Sequence, residues 1–166
     1  MKNIFKVNGK FYLFPFFISI LIPLGGSTLI AYLTRNSMNV YSEVIVPFFA
    51  PPSWVFIVVW PILYFFMGVA SYRIYCLNVQ GVHTASALFF YYVQLLLNYL
   101  WSLIFFSFKL YGLAFIELII LFIFAIITFI KFYKIDKLSG ILLLPYIFWL
   151  VFASTLNFYI WKYNEM

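Results

Sequence analysis

The stretch from Val46 to Ala70, VPFFAPPSWVFIVVWPILYFFMGVA, decides the fold of this chain. It joins a proline-rich turn to an uncharged apolar run that is long enough to cross a bilayer as a helix. Proline suits the turn before a helix or its first position, so Pro51 and Pro52 predict a rigid lip at the mouth of a membrane helix. Trp60 and Tyr64 are four residues apart and therefore share one face of that helix. A rigid lip above aromatic side chains indicates a cup for a flat apolar ligand.

The composition extends this interpretation to the whole chain. Of its 166 residues, 67% are apolar and only 8% are charged, whereas a soluble domain has about 25% charged residues. The apolar runs are continuous rather than alternating, which disfavours a β-barrel. The sequence therefore predicts an all-α integral membrane protein, a single domain over residues 1–166, with five transmembrane helices. The expected spans are roughly 11–33, 53–76, 86–107, 111–131 and 138–161.

The basic residues predict how the chain lies in the membrane. Five spans place the two termini on opposite sides, and seven of the ten Lys and Arg residues then fall on the N-terminal side. The positive-inside rule predicts a cytoplasmic N-terminus, with the Pro-Pro lip and the C-terminus outside. The net charge of +6 is thus attributed to membrane orientation, and no nucleic-acid partner is expected. The first span exceeds the core of a signal peptide in length and is expected to be retained as a helix.

Polar side chains within the spans are candidate binding residues, because amides cannot face lipid cheaply. Gln94 and Asn98 share one face of the third span with Trp101 and Phe105. These amides either line a ligand site or only join helices through hydrogen bonds, and the pattern allows both. A further stripe on the fifth span consists of Pro145, Trp149, Phe152 and Leu156.

Two titratable residues raise other possibilities. Glu117 lies about two turns into the fourth span, where an acid marks a proton or ion path unless it serves only helix packing. Lys109 is its expected partner on the same side, and Arg73 is the other candidate. His83, the only histidine, is expected to be a solvated loop residue. The sequence contains no metal-ligand cluster, no assembled catalytic triad and no glycine-rich phosphate loop, which disfavours a metal site, a hydrolase and an ATPase.

Taken in order, these blocks resemble the TspO/MBR family, the tryptophan-rich sensory or translocator proteins once called peripheral benzodiazepine receptors. The resemblance covers nearly the whole chain. Around the lip and the second span it is carried by Pro47, Phe49, Pro51, Pro52, Trp54, Phe56, Val59-Trp60, Leu63-Tyr64 and Met67-Gly68. The later spans add Gln94-Leu95, Leu97-Asn98, Trp101-Ser102, Glu117, Leu144-Pro145-Tyr146, Trp149, Phe152-Ala153 and Leu156-Asn157.

The resemblance implies a five-helix bundle, often a homodimer, with a pocket that opens near the first long loop. It implies binding of porphyrins such as protoporphyrin and haem, and of benzodiazepine-type drugs, with no required cofactor. By matching positions, Trp60 and Asn98 would donate hydrogen bonds to a ligand carbonyl, and Trp149 would stack on the ligand. The expected ligand-binding residues are Pro51, Trp60, Tyr64, Gln94, Asn98, Trp101, Trp149, Ala153 and Leu156.

Three functions are compatible with such a site. The favoured one is a tetrapyrrole sensor or regulator, expected in a bacterial plasma membrane. The second is an enzyme that degrades porphyrin with light and oxygen, in which Trp60 and Trp149 would be the catalytic residues. The third is a transporter of porphyrin or sterol. The lack of internal repeats and of a buried charge pair counts against transport.

Overall fold

The computed structural model of the chain describes residues 4–35 and 43–166; residues 36–42, in the long first connection, lie outside the described part. Within that part there are five helices long and apolar enough to cross a membrane. They are α1, Leu13–Thr34; α2, Trp54–Val79; α3, Ala85–Ser102; α4, Tyr111–Ile135; and α5, Lys137–Asn164. The described residues contain no β-strand beyond one isolated bridge between Val7 and Lys10. The predicted five-span all-α fold is therefore confirmed, with α2, α4 and α5 each extending about one turn further than expected.

Short links between the later helices make consecutive helices antiparallel neighbours. α3 ends in a π-helical turn, Leu103–Ser107, and Lys109 then adopts a positive φ of 55° that turns the chain back into α4. Asp136 alone separates α4 from α5. Its carboxylate accepts a hydrogen bond from the Ser139 backbone N–H at 3.0 Å and so caps the start of α5.

The helices close into a ring in the order α1, α2, α5, α4 and α3. The most extensive contacts join α4 to α5, α3 to α4, α1 to α2, and α2 to α5, while α3 completes the ring against α1 and α2. The main apolar core is drawn from α2, α3, α4 and α5. Most of α1 faces outward, as expected for a helix surrounded by lipid.

The contact between α1 and α2 depends on Gly68. A Cβ atom at this position would lie 2.8 Å from the Ile20 Cα atom and 2.9 Å from the Ser19 carbonyl oxygen, closer than real Cβ contacts come. Small residues allow membrane helices to approach each other in this way. Gly68 therefore permits the close crossing that holds α1 on the bundle.

An ion pair closes the end of the bundle that carries the N-terminus. Arg73 Nε and Nη2 donate to the Asp136 carboxylate at 2.7 and 3.1 Å, and the Arg73 side chain is only 5% exposed. The interpretation of Arg73 as a possible partner of Glu117 is therefore wrong. Because Arg73 and Asp136 form a buried charge pair, the expectation that no such pair exists is wrong, and only the lack of internal repeats still counts against transport. The two residues are 63 positions apart, so only the packing of α2 against the α4–α5 link brings them together.

Candidate functional site

The Pro-Pro lip leads directly into α2, as its sequence predicts. Ser53 precedes the helix and Trp54 is the first helical residue. Before the lip, the loop folds over the neighbouring end of α5. The Phe49 ring contacts the rings of Phe152 and Tyr159 there, with centroid distances of 6.4 and 5.4 Å. The lip therefore lies where the ends of α2 and α5 meet.

The same loop is tied to the bundle at two further points. The Asn164 side chain accepts a hydrogen bond from the Ile45 N–H at 2.9 Å and donates one to its carbonyl at 3.0 Å. Lys109 Nζ lies 2.9 Å from Glu43 Oε2 in an exposed ion pair. The expectation that Lys109 pairs with Glu117 is therefore wrong, because the turn after α3 directs Lys109 toward the loop.

Beneath the lip, rings from α2 and α5 form one group, which we name the aromatic cluster: Phe56, Trp60, Tyr64, Trp149 and Phe152. Trp60 stacks on Tyr64 with a centroid distance of 5.4 Å and meets Trp149 edge to face at 6.3 Å. Trp149 also contacts Phe56 at 5.7 Å and Phe152 at 5.4 Å. Offset and edge-to-face arrangements are those that aromatic pairs prefer. Trp60, Tyr64 and Trp149 are thus brought together, and their rings pack between α2 and α5.

A chain of buried hydrogen bonds continues from the aromatic cluster into the bundle. The Tyr64 hydroxyl donates to Asn98 Oδ1, the Asn98 amide donates to Tyr146 Oη at 3.3 Å, and the Tyr146 hydroxyl donates to Gln94 Oε1 at 2.8 Å. Gln94 and Asn98 are each 1% exposed. We name these four residues the polar chain; they join α2, α3 and α5. The amides therefore do link helices, while the role of Asn98 as a ligand donor stays a prediction.

Two donors beside these groups have no hydrogen-bond partner among the described residues. They are the Trp149 indole N–H and the side-chain NH2 group of Gln94, and both nitrogen atoms are fully buried. Leaving a buried donor unpaired costs about 1–3 kcal/mol, and almost all buried polar groups in native proteins are paired. The Trp149 N–H is therefore a buried donor that remains available to a hydrogen-bond acceptor.

The other expected ligand-binding residues divide into two sets. Ala153 and Leu156 are buried in the main core on α5, and Pro51 is partly exposed at the lip. Trp101 lies apart from the aromatic cluster on α3, where its indole N–H donates to Asn157 Oδ1 at 3.0 Å. While that bond holds, Trp101 has no donor to offer a ligand.

The expected ligand-binding residues do not include Tyr146 or Asn157, although each of these side chains joins several helices. Tyr146 is the middle of the polar chain, and Asn157 accepts from Trp101 while its amide donates to the Tyr111 carbonyl at 2.8 Å. A signal was present in the sequence, because a phenol or an amide inside an apolar span must find a polar partner. Without the helix arrangement, that signal does not say which partner it finds.

Glu117 and His83, the two other titratable residues considered from the sequence, lie outside the aromatic cluster. Glu117 is only 7% exposed, and neither carboxylate oxygen has a hydrogen-bond partner in the described part of the chain. His83 is exposed in the link between α2 and α3, at the opposite end from the lip. Across residues 4–35 and 43–166, no group of three or more His, Cys, Asp and Glu side chains could hold a metal ion. Aromatic and amide groups thus make up the site, a composition suited to a flat apolar ligand with a few acceptor atoms.

Comparison with known sequences finds relatives over most of the chain. The TspO/MBR family matches residues 19–162. The tryptophan-rich protein TspO of Archaeoglobus fulgidus is 38% identical over 135 residues, which cover 81% of this chain and 86% of that protein. The tryptophan-rich sensory protein of Cereibacter sphaeroides is 35% identical over 124 residues, covering 75% and 76%. The translocator protein of Homo sapiens is 36% identical over 137 residues, covering 81% and 80%.

Proposed function

The chain belongs to the TspO/MBR family of membrane proteins, and from this membership we propose that it binds porphyrins in the aromatic cluster and acts as a tetrapyrrole sensor or regulator. The ligand enters beneath the lip, between α2 and α5, and replaces part of the ring packing there. One relative carries the name tryptophan-rich sensory protein, which fits a regulatory role.

The unpartnered Trp149 N–H is the observation that carries this proposal. It is a buried donor set among Phe56, Trp60 and Phe152, so its surroundings are apolar on several sides. A planar ligand that stacks among these rings and presents a carbonyl or carboxylate oxygen to the indole would satisfy the donor. The interaction is strong in such an apolar setting, because no water competes for the hydrogen bond.

Metal-free protoporphyrin is the better first ligand to test than haem. Imidazole is the usual protein ligand for haem iron, and His83 lies at the other end of the bundle. Among the described residues, the aromatic cluster offers ring faces and donors rather than a histidine or a cysteine. Recognition would therefore rest on the porphyrin ring and its peripheral oxygen atoms.

A fluorescence titration tests the proposal. Protoporphyrin added to the purified protein should quench tryptophan fluorescence saturably. Trp149→Phe keeps an aromatic ring but removes the N–H. The Kd for protoporphyrin should therefore rise about fivefold, because one hydrogen bond contributes roughly 1 kcal/mol to the binding free energy. Trp161→Phe is the matched control, because Trp161 stacks on Phe115 away from the aromatic cluster. Equal affinity for wild type and Trp149→Phe would refute the role of this donor, and an absence of saturable quenching would refute porphyrin binding.

The second candidate function is oxidative degradation of porphyrin with light and molecular oxygen as the oxidant. The edge-to-face contact of Trp60 and Trp149 at 6.3 Å favours it, because neighbouring indoles can pass an electron between them. Trp60→Phe and Trp149→Phe should then abolish product formation under light while binding persists. Unchanged product in both variants would leave a binding role alone.

The same membership supports an orientation for the five helices. We place the N-terminus in the cytoplasm and the lip and C-terminus outside, in a bacterial plasma membrane, since seven of the ten Lys and Arg residues of the sequence fall on the N-terminal side of the five spans. The aromatic cluster then opens toward the outer side.

A further inference from the structure

The segment before α1 is folded as a small hairpin. The Val7 and Lys10 backbones exchange two hydrogen bonds of 2.9 and 3.0 Å. Asn8 and Gly9 form its turn with positive φ values of 51° and 78°. Val7 is buried, and Lys6 and Lys10 are exposed.

This hairpin is fixed to the inner end of α2 by several contacts. Arg73, already held by Asp136, donates to the Ile4 carbonyl at 2.8 Å and to the Lys6 carbonyl at 3.3 Å. The Tyr12 backbone N–H donates to the Tyr72 hydroxyl at 2.9 Å. The positions of the hairpin and its lysines are therefore set by the bundle.

An apolar cavity opens beside the hairpin. Its volume is about 430 Å³, and it is lined by Phe5, Phe11, Phe16 and Lys6. Phe16 contacts Phe5 at 5.6 Å and Phe11 at 5.4 Å between ring centroids. The walls are thus aromatic and a single ammonium group lies among them, beside the start of α1.

The charge at this end of the bundle is strongly positive. The four acidic residues of the sequence are Glu43, Glu117, Asp136 and Glu165, and only Asp136 lies at this end. Its carboxylate is engaged by Arg73. Lys6, Lys10, Lys134 and Lys137 are exposed there. Charge complementarity therefore calls for an anionic occupant.

We propose that the cavity and hairpin form a binding site for an anionic phospholipid, with an acyl chain against Phe5, Phe11 and Phe16 and the phosphate at the Lys6 ammonium group. An apolar chain joined to an anionic headgroup matches both halves of the site, and basic groups next to a bilayer attract anionic lipids. The site lies at the opposite end from the aromatic cluster, so it is independent of the proposed porphyrin function.

Native mass spectrometry of the full chain in neutral detergent tests this site. Phosphatidylglycerol should be retained in preference to phosphatidylcholine of the same acyl chains. Lys6→Gln should weaken phosphatidylglycerol retention about fivefold, the value expected for one basic residue next to an anionic lipid. Lys10→Gln is the matched control, since it removes the same charge from an exposed position of the same hairpin that does not line the cavity, and it should retain the lipid.

Three outcomes would overturn the proposal. Equal retention of both lipids by the wild type would remove the need for an anionic headgroup. Equal loss in the Lys6→Gln and Lys10→Gln variants would show a diffuse charge effect in place of a site. Displacement of the lipid by millimolar inorganic phosphate would identify a free anion as the occupant. Phe11→Ala supplies an independent check, because it should weaken lipid retention while both lysines remain.

Discussion

A few buried polar side chains supply hydrogen-bonding groups inside this otherwise apolar bundle. The Trp149 indole, the Gln94 amide and the Glu117 carboxyl each carry atoms without a hydrogen-bond partner among the described residues. The first two are neutral donors that a ligand or a water can satisfy at moderate cost. Glu117 differs, because a charge buried without a partner costs far more than a neutral polar group.

Replacing Glu117 by glutamine tests whether the Glu117 carboxylate stabilises the folded protein. Glu117→Gln keeps the side-chain size and removes the possibility of ionisation, so the melting temperature in detergent at pH 8 should stay equal or rise. Glu165→Gln is a useful contrast, since the Glu165 carboxylate accepts from the Tyr111 and Gly112 N–H groups at 2.7 and 2.9 Å and caps α4. That variant should lose about 1 kcal/mol. A clear fall in melting temperature for Glu117→Gln would mean that a partner holds the carboxylate.

A second prediction at the scale of single residues is that the protein loses stability in acid because of Asp136. Burial alone would raise the pKa of Asp136, but hydrogen bonds from Arg73 and Ser139 outweigh it and hold the pKa below its usual value. Because the folded-state pKa is lowered, the stabilisation is complete above the unfolded pKa of about 3.9 and is lost as the pH falls through the folded value. Thermal unfolding measured from pH 7 to pH 3 should show this loss in the wild type.

Asp136→Asn is the variant that isolates this group. It should be less stable at pH 7 by about 3 kcal/mol, because it leaves the Arg73 guanidinium buried without its counter-charge. Between pH 5 and pH 3 its stability should fall less steeply than that of the wild type. Parallel pH profiles for the two proteins would contradict the assignment.

At the scale of the helices, the local sequence determines where each helix begins and ends. Close approaches between helix backbones determine how the helices pair. The Pro-Pro lip starts α2, and the π-helical turn Leu103–Ser107 ends α3. Prolines at positions 23, 61 and 145 lie inside α1, α2 and α5, which membrane helices tolerate because neighbours re-satisfy the freed backbone groups. Gly68 decides how closely α1 approaches α2.

Gly68→Ala should loosen the α1–α2 pair. The added methyl group would collide with backbone atoms of Ile20 and Ser19, which cannot move aside cheaply, and overpacking of this kind costs about 1–3 kcal/mol. Gly25→Ala is the matched control on α1, because its Cβ would meet only Leu21 side-chain atoms at 3.8 Å and beyond. Unfolding followed by circular dichroism in detergent should show a loss for Gly68→Ala alone; equal stability of the two variants would refute the close approach.

At the scale of the whole molecule, the five helices close into a ring, and the two ends of this bundle differ. One end carries the lip and the aromatic cluster, with the loop tied down by Asn164. The other carries the hairpin, the Arg73–Asp136 pair and most of the basic residues. The polar chain runs between α2, α3 and α5 and prevents these helices from sliding past one another, since any shift would leave buried amides unpaired.

The orientation of these ends is testable by cysteine labelling in intact cells. The single native cysteine, Cys76, is buried and should give a low background. An impermeant maleimide should label Lys109→Cys at the lip end directly, and Lys134→Cys at the basic end only after the membrane is permeabilised. The reverse pattern would invert the proposed topology.

Much of the site was predictable because its parts are local patterns. The i, i+4 spacing of Trp60 and Tyr64 predicts their shared face, and they do stack. The amides Gln94 and Asn98 had to face inward, and both are buried. The partners were harder to predict: Arg73 and Lys109 pair with Asp136 and Glu43. Each of these pairs joins separate elements, so spacing along the chain carries no information about it.

The sequence by itself determined that this is a five-helix membrane protein with a Pro-Pro lip above aromatic side chains, because hydrophobicity, helix periodicity and proline geometry act over neighbouring residues. Only the tertiary structure decided that Tyr146 joins Asn98 to Gln94, that the Trp149 indole N–H has no partner among the described residues, and that the N-terminal hairpin docks on Arg73. These features depend on which helices become neighbours in the ring. That choice follows from packing and from pairing buried polar groups across the whole bundle, which no single segment encodes.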